Sequence, residues 1–277
     1  MKVPDEVRKT VGFVAYKSKL SGDVVPVGSF FFLGHDPNDG TSTSRKMYAV
    51  TARHIVDALK AKGRADLTLR LNPKEAGAPL INVMTRLDQW FVHPSNTTID
   101  VAILEMGIPK EADHLVIPFS MCATDQTYIE HEVALGDEVF ISGLFRHHYG
   151  KSRNIPIVRT GNLAALEEER VQTVSFGAID ALLIEARSLG GLSGSPVFLN
   201  LGIVRQIGGK IKNATGTGPI MFLLGLVHGH FDTPGDQVNE ADKSSTINEK
   251  INAGIAIVVP ISKVREVIVA YESKSGA

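Results

Sequence analysis

The sequence predicts an all-β protein made of two six-stranded antiparallel β-barrels and a short C-terminal α-helix. Two successive sets of short β-rich runs support this fold class. The first set comprises residues 11–16, 28–34, 48–54, 66–71, 80–92 and 100–106, and the second comprises 137–144, 157–166, 178–185, 194–199, 221–228 and 254–261. Turn-forming residues separate the runs, which is the pattern typical of small barrels. Closing each sheet removes exposed strand edges.

Helical spacing appears at the C-terminal end. Val264, Val267, Ile268 and Tyr271 recur at intervals of three and four residues, so they would share one face of a helix, with Ser262 as its N-cap. We therefore divide the chain into an N-terminal barrel (1–115), a C-terminal barrel (116–261) and a helical tail (262–277). Packing two barrels together would create a cleft between them.

Composition and charge exclude several classes of function. The 277 residues carry a net charge of −1 and no long basic run, which argues against a nucleic-acid partner. No apolar run reaches the length of a membrane span, and the charged N-terminal segment, residues 1–10, has no apolar core of signal-peptide length. We therefore expect a cytoplasmic protein without a membrane partner, although an exported chain trimmed of its signal would look the same. The lone Cys122 cannot form an intramolecular disulfide, which suits a reducing compartment.

The segment 190–196, Gly-Gly-Leu-Ser-Gly-Ser-Pro, carries the first chemical signal. Glycines on both sides of Ser193 let the backbone turn tightly and gather N–H donors around one hydroxyl, as a nucleophile and its oxyanion require. Taken alone, the same segment also fits a turn that leads into the apolar strand that follows it.

Two further residues are candidate partners of Ser193. His54 ends an apolar strand and precedes residues 55–63, which predict one short helix, and Asp100 begins another strand. His54 comes first, Asp100 follows 46 residues later, and Ser193 follows 93 residues after that. This order of histidine, aspartate and serine distinguishes one class of Ser-His-Asp hydrolases from the others.

These motifs resemble the chymotrypsin-like serine proteases. The run 51–54, Thr-Ala-Arg-His, is similar to the family's Thr-Ala-Ala-His, and 99–104, Ile-Asp-Val-Ala-Ile-Leu, resembles its aspartate strand. The run 191–196 resembles its Gly-Asp/Asn-Ser-Gly-Gly/Ser-Pro. Residues 194–198 and 254–261 place the resemblance among bacterial-type members, HtrA-like and glutamyl-endopeptidase-like, without a PDZ module.

The resemblance implies a role for each site residue. Ser193 would attack the peptide carbonyl, His54 would act as general base and acid, and Asp100 would orient the imidazole. The backbone amides of Gly191 and Ser193 would form the oxyanion hole. The resemblance therefore implies a serine endopeptidase that acts on protein or peptide substrates, with regulated or restricted activity.

One departure from the family concerns control of activity. Leu192 stands where the animal proteases have the aspartate that pairs with a newly cleaved N-terminus. Activity would then not depend on such a cleavage, but the oxyanion hole could require substrate or an activating protein partner to form. A catalytically latent or inactive protease-like module that binds peptides is the alternative function.

The second departure concerns the specificity pocket, for which the candidates are Arg187, Ser188, Leu189, Val227 and His228. Arg187 occupies the position of the acid that binds basic side chains in trypsin-like relatives, which argues against cleavage after Lys or Arg. His228 lies one residue later than the histidine of glutamyl endopeptidases, and such a shift reverses the side chain's face unless a bulge intervenes. A preference for acidic, small or apolar residues therefore stays open.

The sequence predicts no cofactor and no metal site. His147, His148, His228 and His230 lack a convincing zinc spacing with a third ligand, so we interpret them as solvated loop residues. Cys122 lacks the glycine-flanked context of a nucleophile and is predicted to be a buried, inert thiol.

Overall fold

The chain folds mainly into β-strands. The structure is a computed structural model that describes residues 3–34, 46–186, 191–213, 220–234 and 250–275. Within these ranges most of the strands belong to two sheets, and one continuous cluster of buried apolar side chains includes members of both.

The first sheet has eight strands. They are β1 (Val11–Lys17), β2 (Val24–Gly34), β3 (Met47–Thr51), β4 (Asp66–Leu71), β5 (Ile81–Arg86), β6 (Phe91–Val92), β7 (Ala102–Glu105) and β8 (Ile117–Pro118). Their order across the sheet is β5-β4-β1-β2-β3-β7-β6, and β8 lies parallel to β2 off this path. The centre of β2, residues 30–33, is fully buried, which explains why it reads as a continuous apolar run.

This sheet corrects the prediction of two closed six-stranded barrels. The seven strands of the path from β5 to β6 form a strongly curled half-barrel, with β5 and β6 at its two ends and β8 outside the path. The two end strands are consecutive in the chain and are joined by a 3-10 turn at Leu87–Gln89. Because that turn interrupts the strand, β5 pairs only with β4 and the two-residue β6 pairs only with β7.

The remaining strands contain the second sheet. They are β9 (Glu138–Gly143), β10 (Ile157–Ala165), β11 (Val171–Thr173), β12 (Gly177–Ile179), β13 (Leu182–Glu185), β14 (Pro196–Asn200), β15 (Val204–Ile207), β16 (Lys210–Asn213), β17 (Met221–Pro234) and β18 (Lys250–Pro260). Six of them form a closed barrel in the order β10-β13-β18-β17-β14-β9, while β11-β12 and β15-β16 are separate two-stranded ladders. The predicted second barrel is therefore confirmed.

Three α-helices accompany these strands in the described ranges: α1 (Arg53–Ala61), α2 (Asp125–Glu130) and α3 (Ile261–Ser275). The predicted short helix after the histidine is α1, and Gly63 just beyond it has a φ of +66° that suits glycine at a helix end. The domain boundaries predicted above stay predictions.

The C-terminal helix is confirmed, but it begins at Ile261, one residue before the predicted cap Ser262. The helix starts directly from the last residue of β18, so Ser262 lies inside its first turn. The predicted apolar face is the buried one, since Val264 and Val267 are fully buried. Tyr271 reaches the first sheet, where its ring packs edge-on against Phe91 at 5.3 Å between centroids.

A buried polar network ties the two sheets together. The Arg70 guanidinium on β4 donates to Asn154 Oδ1 at 2.8 Å, and Asn154 Nδ2 donates to the Arg70 carbonyl at 2.6 Å. The Asn154 backbone N–H also donates to Asn72 Oδ1 at 2.6 Å. Arg70 is 3% exposed and Asn154 is 1% exposed, so the network holds a buried charge between the first sheet and the segment before β10.

We expect Asn154→Ala to lower the free energy of unfolding by about 2–4 kcal/mol, because it leaves a buried guanidinium without one of its acceptors. Urea denaturation measures the change. The matched control is Asn213→Ala on the exposed strand β16, which should change the value by no more than about 0.5 kcal/mol. Equal effects of the two variants would show that the network does not hold the sheets together.

Candidate active site

The structure brings His54 and Asp100 together through two hydrogen bonds. The His54 backbone N–H donates to Asp100 Oδ1 at 2.8 Å, and its ring Nδ1 lies 2.7 Å from Asp100 Oδ2. His54 lies in the first turn of α1, where backbone N–H groups lack helical acceptors, and the preceding Ala52 offers no side-chain cap. Asp100 therefore both caps the helix and orients the histidine ring.

The Asp100 carboxylate is fully buried, yet it is ionised. Burial alone would raise its pKa, but the charges and hydrogen bonds of His54 and His228 outweigh burial and lower the pKa to about 2. The segment before it is held by a side-chain turn, since Asn96 Oδ1 accepts hydrogen bonds from the Thr98 N–H and hydroxyl. This turn delivers Asp100 to the start of β7.

The His54 ring is the exposed member of the pair, with 29% of its side chain accessible. Burial disfavours the imidazolium, but the charge and hydrogen bond of Asp100, helped by the charge of Asp57, raise the pKa of His54 above its ordinary value. Because Nδ1 faces an ionised acceptor, that nitrogen carries the proton and Nε2 is the basic atom. This is the tautomer that a general base needs.

Ser193 lies in a turn that is bonded to both sheets. Its carbonyl accepts from the Ser29 N–H on β2 at 2.9 Å, and the Gly194 N–H donates to the Val227 carbonyl on β17 at 2.8 Å. The Ser195 N–H closes the turn on the Leu192 carbonyl at 2.9 Å. The position of the serine thus depends on how the two sheets pack.

Glycine is required at Gly194. Its φ is +78°, and a Cβ there would collide with the Ser29 carbonyl oxygen and the Thr51 hydroxyl. Gly191 also has a positive φ, +110°. Among the described residues, the N–H groups of Gly191 and Ser193 donate to no other group, a condition that oxyanion donors must meet.

Leu192 is fully buried and packs in the main core cluster. Beside it, the buried Ser29 hydroxyl accepts from the Leu144 N–H at 2.9 Å and donates to the Gly191 carbonyl at 3.5 Å. Sequence reasoning missed Ser29, because a serine within an apolar strand gives no signal of such contacts. Together the two residues anchor the serine turn.

The Ser193 hydroxyl is not joined to the His54 ring by a hydrogen bond in the described part of the chain. Its oxygen lies 3.2 Å from the carbonyl oxygen of His228, to which it donates. The structure therefore brings the histidine and aspartate into contact and bonds the serine hydroxyl to the strand that carries His228. Rotation about the Cα–Cβ bond of Ser193 would move this hydroxyl to another staggered position.

His228 is a second imidazole on Asp100. Its Nδ1 lies 2.6 Å from the same Oδ2 that His54 contacts. The β17–β18 register shifts between Val227 and Gly229, so a bulge falls at His228. The sequence argument had allowed His228 to keep the face of the family's histidine only if such a bulge occurred. The side chain contacts the aspartate, a contact that the sequence did not predict.

The other pocket candidates differ in position. Val227 is fully buried in the barrel. Arg187, Ser188 and Leu189 lie outside the residues that the structure describes.

His54, Asp100 and His228 also offer one ligand atom each within 4.8 Å of one another. The two nitrogen–oxygen distances, 2.7 and 2.6 Å, fit hydrogen bonds. Tetrahedral zinc, with bonds of about 2.0–2.1 Å, would hold such atoms about 3.3 Å apart. The arrangement in the structure is therefore a hydrogen-bonded one.

Of the four histidines interpreted above as solvated loop residues, His228 and His230 lie in strand β17 and are partly buried, which corrects that interpretation for these two. His147 and His148 are exposed in the 3-10 turn after β9. Cys122 is a buried free thiol, and burial raises its pKa to about 11, which makes it inert at neutral pH. Within the described ranges, the helices are too short or too polar to cross a bilayer.

Comparison with known proteins identifies the fold. No protein-family model and no curated protein matches the sequence. Among solved structures, the chain is similar to the MamO protease domain from Magnetospirillum magneticum in its apo form, with a TM-score of 0.52 and 17% identity over 95% of this chain and 97% of that one. This similarity shows the chymotrypsin-like fold of trypsin-like serine protease domains.

Two further structures match with lower scores. Deg5 aligns at a TM-score of 0.46 and 13% identity, over 94% of this chain and 88% of that one. An inactive mutant of Rv3671c from M. tuberculosis H37Rv aligns at 0.45 and 15%, over 95% and 86%.

We expect Leu192→Asp to lower the free energy of unfolding by about 3 kcal/mol or more at pH 7, because it buries an unpaired carboxylate. Leu192→Met, which keeps the side-chain volume, should cost less than about 1.5 kcal/mol. Urea denaturation at pH 7 and pH 4 checks both values. The Asp variant should lose less stability at pH 4, where the carboxyl protonates; the same loss at both pH values would contradict burial of the introduced charge.

Proposed function

We propose that this chain, which has the fold of trypsin-like serine protease domains, is a serine endopeptidase that uses Ser193, His54 and Asp100 as its catalytic triad. The observation that carries the proposal is the doubly hydrogen-bonded pair of His54 and Asp100, which is linked to Ser193 through His228: the His228 ring contacts Asp100 and its carbonyl accepts the Ser193 hydroxyl. The fold implies peptide substrates in general, and we propose regulated or restricted proteolysis.

The reaction begins when the Ser193 hydroxyl leaves the His228 carbonyl and turns towards His54 Nε2. His54 takes the hydroxyl proton as Ser193 Oγ bonds to the peptide carbonyl carbon, and then gives that proton to the leaving amine. Asp100 keeps the proton of His54 on Nδ1 and offsets the charge of the imidazolium. Water then attacks the acyl-enzyme with His54 again as base, which releases the acid product and restores Ser193.

The backbone amides of Gly191 and Ser193 are the proposed oxyanion donors. The turn that carries them is held at the Ser193 carbonyl by Ser29 and at Leu192 by the core. Such fixed donors stabilise the charge that develops on the substrate oxygen, and removing one costs about 100-fold or more in rate. Because Leu192 takes the place of an acid, no cleaved N-terminus is needed to hold this turn.

A second candidate function is a latent or inactive module that binds peptides in the cleft, with turnover absent until an activating protein partner arrives. One observation favours it: the Ser193 hydroxyl donates to the His228 carbonyl, where it is not activated by His54. A cytoplasmic location stays part of the proposal, and a preference for acidic, small or apolar side chains stays open.

Labelling with a fluorophosphonate probe, followed by peptide mass spectrometry, tests the proposal directly. We expect an adduct on Ser193 in the wild type, because a histidine-activated serine attacks the probe without needing the natural substrate. The adduct should vanish in Ser193→Ala and fall by about 1,000-fold or more in rate in His54→Ala.

The matched control is Ser21→Ala, which changes an exposed serine in the turn between β1 and β2 and should label like the wild type. Folded wild-type protein that takes up no probe would refute the endopeptidase proposal for the isolated chain. Labelling that appears only after a candidate partner is added would support the latent module.

The rate of Ser193 labelling should rise with pH. His54 acts as base only when neutral, and its pKa is raised above the ordinary value of about 6.5. The pH at which the labelling rate is half-maximal should therefore lie above about 6.5. Asp100 stays ionised because its pKa is about 2. Labelling rates measured from pH 5 to 9 check this pH dependence. A rate that is independent of pH would contradict the assignment of His54 as base.

A further inference from the structure

We propose that His228 is a positioning residue that shares the Asp100 carboxylate with His54 and couples the protonation of the two imidazoles. The role rests on the proposed function for its effect on catalysis. The coupling itself rests only on the geometry of the three side chains.

The two rings meet at one oxygen atom. His54 Nδ1 lies 2.7 Å and His228 Nδ1 lies 2.6 Å from Asp100 Oδ2, while Oδ1 accepts the His54 backbone N–H. The rings lie 5.5 Å apart between centroids in an edge-to-face arrangement. The carboxylate therefore accepts three hydrogen bonds, two of them from side chains that can change their charge.

The Asp100 carboxylate determines which nitrogen of each ring carries the proton. An ionised carboxylate only accepts hydrogen bonds, so both Nδ1 atoms carry protons and both Nε2 atoms have a free lone pair. Each ring can therefore gain one proton without breaking its bond to Asp100. Only one negative charge is shared between them, so a second imidazolium is disfavoured by the first.

The side chain of His228 is held in place more firmly than that of His54. It is 10% exposed, against 29% for His54. The ring of Phe176, from the turn between β11 and β12, packs edge-on against it at 5.7 Å between centroids. The His228 carbonyl also accepts the Ser193 hydroxyl, so one residue of the bulged strand contacts both the aspartate and the serine.

Among the residues that the structure describes, few other charges face this pair. From α1, Arg53 is bonded to Asp57 at 2.9 Å and lies over the Phe176 ring at 5.6 Å, and Asp57 adds to the attraction for protonated His54. Phe176, from the hairpin, is not titratable. Two imidazolium charges at this separation repel each other, so a proton on one ring disfavours a proton on the other.

Histidine NMR titration of the protein tests this coupling without relying on activity. Ring nitrogen shifts of wild type, His228→Asn and His228→Leu are followed from pH 4 to 9. In the wild type we expect the His54 titration to show two separate steps. Both variants should show one step, because neither replacement can take up a proton, and the exposed control His147→Asn should keep both steps.

Fluorophosphonate labelling of the same variants tests the positioning role. Asparagine places an amide N–H near the position of Nδ1, whereas leucine removes the donor. We therefore expect His228→Leu to label about tenfold or more slowly than wild type, and His228→Asn to recover at least fivefold of that loss. Amide NMR dispersion establishes that each variant is folded.

The outcomes separate the two proposals. A single His54 step in the wild type, or two steps that persist in both folded variants, overturns the coupling. Equal labelling rates for wild type and His228→Leu overturn the positioning role. Two coupled steps in a wild-type protein that takes up no probe would support the coupling and refute the endopeptidase proposal alone.

Discussion

The buried charge of Asp100 is the constraint on which the site depends. A carboxylate with no exposed surface is unfavourable unless donors surround it, and here the first turn of α1 and two imidazoles supply them. These donors come from both sheets: α1 lies between β3 and β4 of the first sheet, and His228 belongs to the barrel. The charge therefore stabilises one particular packing of the two sheets, in which the His228 carbonyl also accepts the Ser193 hydroxyl.

A second set of contacts fixes the serine turn to the first sheet and to the core. Ser29 lies on the first sheet, yet its N–H and hydroxyl bond to Ser193 and Gly191. Leu192 anchors the turn in the core by apolar contact, where an acid would need a paired charge. A buried leucine needs no such partner, so the turn is held by packing that is present as soon as the chain folds.

Much of the fold and part of the site followed from the sequence. Alternating apolar runs and turn residues specified a β-rich chain, the closed second barrel and the apolar face of α3, because these features depend on local periodicity. The predicted closure of the first sheet was wrong, because the 3-10 turn at Leu87–Gln89 breaks a run that looks continuous in the sequence. The start of α3 also differed by one residue, because β18 continues directly into the helix without a separate cap.

The sequence by itself determined which chemical groups are present and in what order: His54, Asp100 and a serine between glycines. It did so because residue type, spacing and local turn chemistry are properties of the chain. Only the tertiary structure decided how these groups meet. The bulge that turns His228 onto Asp100 and the carbonyl that accepts the Ser193 hydroxyl arise from strand pairing between distant segments, and no local pattern encodes such contacts.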